Sequence, residues 1–149
     1  MSSASGAARA AGISLAPAAA GASVRCFLGF DFGTRRVGVA VGNSLLRQAQ
    51  PLKTVAAQGE ARFAAIESLV HEWQPAALVI GVPFHPDGAA HDNTQRARRF
   101  ARQLHGRFRL PVNEVDERYT TTEALADGAI DVDAASAALI LEQFLAGAR

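Results

Sequence analysis

The segment from Cys26 to Gly42 constrains the fold of this chain more than any other. Apolar residues occupy every second position from Val24 to Phe30, and valine alternates with glycine or alanine from Val37 to Gly42. A two-residue period of this kind predicts two paired strands, and Gly33 marks the turn of a hairpin between them. Asp31 therefore stands at the end of a strand, beside residues that we expect to be buried.

Asp31 is the residue in this segment that calls for a partner. An ionised carboxylate beside buried strand residues loses its hydration, which costs free energy unless another group compensates its charge. A metal ion or an arginine is the implied partner. The alternative is that Asp31 only begins the turn.

Residues 1–22 differ in composition from the rest of the chain, because they are mostly Ala, Ser and Gly. Such residues offer little apolar surface to offset the entropy of ordering. We therefore predict a disordered tail over residues 1–22 and one domain over residues 23–149. A transit segment stays open as an alternative, since the tail contains serines, one arginine and no acid.

Composition limits the function classes. No apolar run is long enough to span a bilayer, so no membrane association is expected. The single cysteine, Cys26, excludes an internal disulfide and a multi-cysteine zinc site, and a cytoplasmic location follows as the default. The four histidines show no spacing typical of a zinc site.

The rest of the chain predicts a mixed sheet with helices on both faces. A third strand over residues 50–55 fits a sheet edge because Pro51 lacks a donor. A helix over residues 61–73 should bury Phe63, Ile66, Val70 and Trp73 and turn Arg62, Glu67 and Glu72 towards water. The uniformly apolar residues 76–82 predict a strand covered on both faces.

Further elements follow in alternation. A loop over residues 84–92 precedes a helix that Asn93 or Thr94 can cap and that buries Ala97, Phe100, Ala101, Leu104 and Phe108. Residues 110–116 predict a short strand. Tyr119 begins another helix, and Asp133 opens a last one over residues 134–145, with Ala137, Ile140, Leu141 and Phe144 inward. Strands followed by helix and strand alternation predict an α/β fold.

Three acids fall at the ends of predicted elements, namely Asp31, Glu117 and Asp133. The topology can bring them to one end of the sheet, and oxygen ligands of this kind suit Mg²⁺ or Mn²⁺. Each acid has an ordinary alternative. Asp133 could simply cap the last helix, and Glu117 with Arg118 could be surface charge.

Arginine dominates the basic residues. Only Lys53 is lysine, and six arginines lie between Arg96 and Arg109, although the net charge is only +1. Arginine favours bidentate contact with phosphate. On the predicted helix Arg98, Arg99 and Arg102 share an exposed face, for which a solvated surface is the alternative.

Four segments together resemble the YqgF/RuvX family of RNase H-like proteins, assigned as pre-16S rRNA nucleases and related to Holliday junction resolvases. The resemblance covers about residues 25 to 145. The matching segments are residues 31–40 (DFGTRRVGVA), 79–83 (VIGVP) with Asp87-Gly88, 116–121 (DERYTT) and 132–142 (VDAASAALILE). Two features differ from the family pattern, since the stretch from Glu117 to Asp133 is shorter and Tyr119 replaces an aliphatic residue.

The resemblance implies a five-stranded mixed sheet flanked by helices and a metal-dependent nuclease. It places the acidic set on Asp31, Glu117 and Asp133, which would hold Mg²⁺ or Mn²⁺ for phosphodiester hydrolysis. It places phosphate-binding arginines on Arg35 and Arg118, and Arg98, Arg99 and Arg102 would contact the nucleic-acid backbone further out. The implied substrate is structured RNA, most directly pre-16S rRNA, or branched DNA.

Other functions stay open at this level. Residues 31–34 also look like the first phosphate motif of the actin, chaperone and sugar-kinase group, but no second domain or second motif accompanies them. A nucleic-acid-binding module without catalysis is a further alternative. A monomer and a homodimer are both compatible with the sequence, although a junction resolvase would need two active sites.

Overall fold

A computed structural model describes residues 24–84, 92–117 and 131–147. The predicted tail over residues 1–22, Asp87-Gly88, Arg118 and the predicted helix from Tyr119 lie outside the described residues. None of the described helices is both long and apolar enough to cross a bilayer.

The described residues form five strands and three helices. In chain order these are β1 (Cys26–Asp31), β2 (Val37–Asn43), β3 (Ala49–Val55), α1 (Gly59–Trp73), β4 (Ala77–Val82), α2 (Asp92–Phe108), β5 (Val112–Asp116) and α3 (Val132–Gly147). The strands form one sheet in the order β3-β2-β1-β4-β5. The β1-β2 and β2-β3 pairs are antiparallel, whereas β1-β4 and β4-β5 are parallel. The predicted five-stranded mixed sheet is confirmed.

Helices cover both faces of the sheet. One face carries the larger core, in which α1 and α2 pack on valines, leucines and phenylalanines of the strands. Phe100 of α2 contacts the rings of Phe30, Phe32 and Phe63 at centroid separations of 6.1, 5.2 and 5.9 Å. The other face packs on α3 through a smaller set of core residues that includes Phe27, Val79, Ile140 and Leu141.

The alternating sequence of β2 presents large side chains on one face of the sheet and small residues on the other. Val37, Val39 and Val41 belong to the core under α1 and α2. Gly38, Ala40 and Gly42 point the other way, as the period of a strand requires. A Cβ at Gly42 would lie 3.1 Å from Leu145 Cδ1, so the small residues let α3 lie close to the sheet.

Several boundary and burial predictions were wrong. Arg62 is buried rather than turned towards water, because its guanidinium reaches backbone carbonyls below the helix. Trp73 is exposed, since α1 ends at this residue. Neither Asn93 nor Thr94 precedes α2, because the helix begins at Asp92 and the Thr94 hydroxyl donates to the carbonyl of Pro83.

Candidate active site

Asp31 lies at the carboxyl end of β1, in the middle of the sheet. Its partner across the antiparallel pair is Gly38, and its partner across the parallel pair is Gly81. Residues in register on neighbouring strands point to the same face. Asp31 therefore has no side chain on either side of it in the sheet.

The space beside Asp31 is filled from two other elements. A Cβ at Gly38 would overlap the carbonyl of Asp133 in the first turn of α3. A Cβ at Gly81 would lie 2.7 Å from Glu117 Oε1 and 2.9 Å from Glu117 Cγ. The two glycines thus allow Glu117 and the start of α3 to approach Asp31.

The carboxyl groups of Asp31 and Glu117 are hydrogen-bonded to each other. Burial raises the pKa of Glu117, and the Asp31 charge, the Asp31 hydrogen bond and the Asp116 charge raise it further, to about 8. Burial also raises the pKa of Asp31, while the hydrogen bond from Glu117 lowers it and the Asp133 charge raises it. A proton on Glu117, donated to the Asp31 carboxylate, accounts for both directions.

Asp133 lies in the first turn of α3, but it does not cap the helix. Asp131 has that role, since its Oδ1 accepts from Ala134 N at 3.0 Å and its carbonyl accepts from Ala135 N at 2.9 Å. The Thr54 hydroxyl of β3 donates to the same Asp131 oxygen. The capping alternative for Asp133 was therefore wrong, and its carboxylate is available for another partner.

That partner is Arg36 of the β1-β2 loop. Arg36 Nε lies 3.0 Å from Asp133 Oδ2, with the side chains 63% and 35% exposed. Asp31, Glu117 and Asp133 thus belong to one neighbourhood, yet they are not arranged alike. Asp31 and Glu117 contact each other, while Asp133 is paired with an arginine.

The carboxylate oxygens are the donors that a hard divalent cation prefers. Asp31 and Glu117 fit such an ion, because two buried acids that share a proton lack the positive charge that would let both ionise. Asp133 could join them only by leaving Arg36. Within residues 24–84, 92–117 and 131–147, no three His, Cys, Asp or Glu side chains are already grouped as a metal site.

The arginines predicted to bind nucleic acid differ in their surroundings. Arg35 is exposed in the β1-β2 loop, and Arg99 and Arg102 are exposed on α2. Arg98 differs from them, because its Nε lies 3.3 Å from Glu114 Oε1 and its guanidinium lies 5.3 Å from the centre of the Phe84 ring. The Arg98 side chain is still 40% exposed, so all three arginines of this face are accessible to solvent and their contact with nucleic acid stays a prediction. Arg118 lies outside the described residues.

Sequence reasoning missed two arginines beside this site. The family resemblance points to Arg35 and not to Arg36, although Arg36 and Gly38 are two residues apart and an extended chain places both on one face. Arg62 donates from Nε to the Ala57 carbonyl at 2.9 Å and from Nη2 to the Thr34 carbonyl at 3.1 Å. It therefore anchors the loop that carries Arg35 and Arg36, a role that helix periodicity alone does not reveal.

Comparisons with known proteins identify the family of this chain. A protein-family model described as "RuvX: Holliday junction resolvase" matches residues 25–147. A protein of Albidiferax ferrireducens named "Putative pre-16S rRNA nuclease" is 67% identical over 129 residues, which cover 87% of this chain and 83% of that protein. A Polaromonas protein of the same name is 64% identical over 124 residues, covering 83% of this chain and 90% of that protein.

A solved structure shares the fold. Thermus thermophilus RuvC in complex with Holliday junction substrate has a TM-score of 0.56 and 15% identity, and the match covers 80% of this chain and 93% of that one. The likeness agrees with the predicted RNase H-like fold. The family match and the identity to curated relatives show that this chain belongs to the RuvX (YqgF) family, whose relatives above are named as nucleases.

Proposed function

We propose that this chain is a divalent-metal-dependent endonuclease that processes the 5′ end of pre-16S rRNA during ribosome biogenesis. The contact between Asp31 and Glu117 at the end of the parallel strands, with Asp133 and Arg36 beside it, carries the proposal. The names of the relatives supply the substrate. Such a reaction belongs in the cytoplasm, where we place the protein.

Asp31, Glu117 and Asp133 would hold Mg²⁺ or Mn²⁺ in this proposal. A divalent ion there lowers the pKa of water and offsets charge on the phosphoryl oxygens during hydrolysis. Glu117 must lose the proton that it shares with Asp31, and Asp133 must leave Arg36.

The surroundings of the carboxylates favour a polyanionic substrate. Asp31, Gly81 and Asp116 mark the same edge of the sheet, because β1, β4 and β5 are parallel. Arg35 and Arg36 lie in the loop that leaves this edge. Contacts from arginine to phosphate fix the position of a nucleic acid without reading its sequence, so they suit a substrate recognised by its shape.

Four-way DNA is the second candidate substrate. The description of the family model names a Holliday junction resolvase, and the RuvC structure that shares the fold contains a junction. The chemistry would be the same, since both substrates present phosphodiesters. A junction has two strands to cut symmetrically, so this candidate also predicts a homodimer, whereas RNA processing is compatible with a monomer.

The test compares cleavage of a 16S precursor leader RNA and a four-way DNA junction, each with Mg²⁺ and with Mn²⁺. Asp31→Asn should abolish cleavage and retain the fold, because asparagine keeps the shape but cannot bind a cation as strongly. Glu72→Gln is the matched control, since it changes an exposed carboxylate on α1 to an amide away from the carboxylate set.

Cleavage of the RNA alone supports the proposed substrate, and cleavage of the junction alone supports the second candidate. Cleavage by Asp31→Asn at the wild-type rate contradicts the assigned site. Binding of either nucleic acid without any product, with both ions, would identify a binding module instead of an enzyme.

A further inference from the structure

Arg36 forms an ion pair with Asp133 that must break if Asp133 binds a divalent cation. Its guanidinium Nε lies 3.0 Å from Asp133 Oδ2, so the carboxylate that would bind a metal cation is already paired with the positive charge of an arginine. Asp133 cannot keep this ion pair and bind a divalent cation unless one of the two contacts changes. An arginine in contact with a cation ligand either competes with the cation or moves when the cation binds.

The guanidinium has more donors than this contact uses. Arginine carries five N–H groups in a planar fork, and the contact to Asp133 is made through Nε. The Arg36 side chain is 63% exposed, so a phosphate can reach the remaining N–H groups from solvent. Arginine is also the side chain whose geometry best matches phosphate oxygens.

The backbone beneath Arg36 is held in place from α1. Arg62 Nη2 donates to the Thr34 carbonyl at 3.1 Å, and the Arg62 guanidinium lies 5.8 Å from the centre of the Phe32 ring. Phe32 in turn contacts Phe100 of α2. Because the loop is anchored, Arg36 can change partner by rotating its side chain, without a movement of β1 that would displace Asp31.

We propose that Arg36 exchanges partners during the reaction cycle: it balances the charge of Asp133 in the cation-free protein and binds a backbone phosphate of the substrate once a divalent cation occupies the carboxylates. This inference rests on the proposed nuclease function. It adds Arg36 to Arg35 as a residue of the β1-β2 loop that contacts the substrate, and it places the Arg36 contact beside the cation site.

The exchange predicts changes of opposite sign in the variant Arg36→Ala. Without nucleic acid, Mn²⁺ should bind more tightly, by about two- to fivefold, because the competing exposed ion pair is gone. With Ca²⁺ as the probe cation, binding of a labelled 16S leader RNA should weaken, and the slope of log affinity against log salt should fall by about one. A residue that only supports the fold would not strengthen Mn²⁺ binding.

Three variants serve as controls. Lys53→Ala removes the same charge from an exposed position on β3 and should leave Mn²⁺ affinity and the salt slope unchanged. Arg35→Ala removes a neighbouring charge that is not paired with Asp133, so its effect on Mn²⁺ affinity should be smaller than that of Arg36→Ala. Arg36→Lys replaces Arg36→Ala as the test if the alanine variant has a different thermal stability. Lysine keeps the charge, so its Mn²⁺ affinity and salt slope should lie between those of wild type and Arg36→Ala.

Mn²⁺ binding is measured by electron paramagnetic resonance, and RNA binding by fluorescence anisotropy across a salt series. Unchanged or weaker Mn²⁺ binding in Arg36→Ala, or an unchanged salt slope, overturns the exchange while the nuclease proposal stands. A wild-type protein that binds no Mn²⁺ overturns both.

Discussion

The two faces of the sheet are built from different residues and have different tasks. The face under α1 and α2 is filled by large aliphatic and aromatic side chains, including Leu28, Phe30 and Val39. The face under α3 has Gly29, Gly38 and Gly42, where an added Cβ would press on α3 or on the backbone. Large side chains bury apolar area and stabilise the fold, whereas small ones let the backbones of two elements approach.

This difference places the candidate site on the face under α3, where the helix lies closer to the sheet. A helix resting on large side chains would hold Asp133 several ångströms further from Asp31. The glycines at both register positions of Asp31 remove that spacing. In β2, alternate residues therefore serve stability and site geometry separately, so substitutions at neighbouring positions should separate the two effects.

Gly38→Ala should have the largest effect. Its Cβ would overlap the Asp133 carbonyl, so α3 must shift, which we expect to cost about 3 kcal/mol of unfolding free energy. The shift also moves Asp133, so cleavage should fall more than stability alone explains. Urea denaturation and cleavage under conditions where the variant stays folded measure the two effects.

Val39→Ala is the matched change on the opposite face. Val39 is fully buried under α1 and α2, and loss of two methyl groups should cost about 2 kcal/mol. Cleavage by the folded variant should stay close to that of wild type. Equal losses of cleavage in the two variants would show that the faces do not divide these tasks.

Glu117→Gln should change the pH dependence of stability. The pKa of Glu117 is raised from its ordinary 4.5 to about 8, so between these values the folded protein holds a proton that the unfolded chain lacks. Wild-type stability should therefore fall as pH rises through this window. Glutamine cannot lose a proton, so the variant should gain about 1–2 kcal/mol over wild type at about pH 8.5 and much less at about pH 5. Parallel pH profiles of the two proteins would contradict the shared proton.

Asp131→Ala and Thr54→Val should have the smallest effects. Asp131→Ala removes the acceptor for Ala134 N and for the Thr54 hydroxyl, and loss of an N-cap costs about 1 kcal/mol. Thr54→Val removes only the second of these hydrogen bonds and should cost less. Thermal unfolding of both variants tests the assignment, and an undisturbed midpoint in Asp131→Ala would argue that another group caps α3.

Sequence periodicity could predict the sheet because its strands alternate or are uniformly apolar. The β1-β2 pair, the edge position of β3 and the burial of β4 all follow from local pattern. It also indicated that Asp31 needs a partner. It could not show that this partner is Glu117, since their contact depends on the parallel β1-β4-β5 arrangement and on the space left by Gly81.

Roles that depend on distant contacts were beyond the sequence. Asp131 and Asp133 are equally plausible caps by type, and only the position where α3 begins decides between them. Arg62 lies on the polar side of the predicted helix pattern, yet carbonyls of two loops draw it into the protein. Single-residue assignments at element ends therefore need the fold, whereas the elements themselves do not.

Asp31 and Glu117 share a proton that, in the proposed function, a divalent cation replaces. Calorimetric titration of Mn²⁺ into wild type and Asp31→Asn near neutral pH, in buffers of different ionisation enthalpy, tests it directly. We expect wild type to bind Mn²⁺ and release protons, because Glu117 must ionise, and Asp31→Asn to bind much more weakly. Equal binding by both proteins, or binding without proton release, would contradict this exchange of proton for cation.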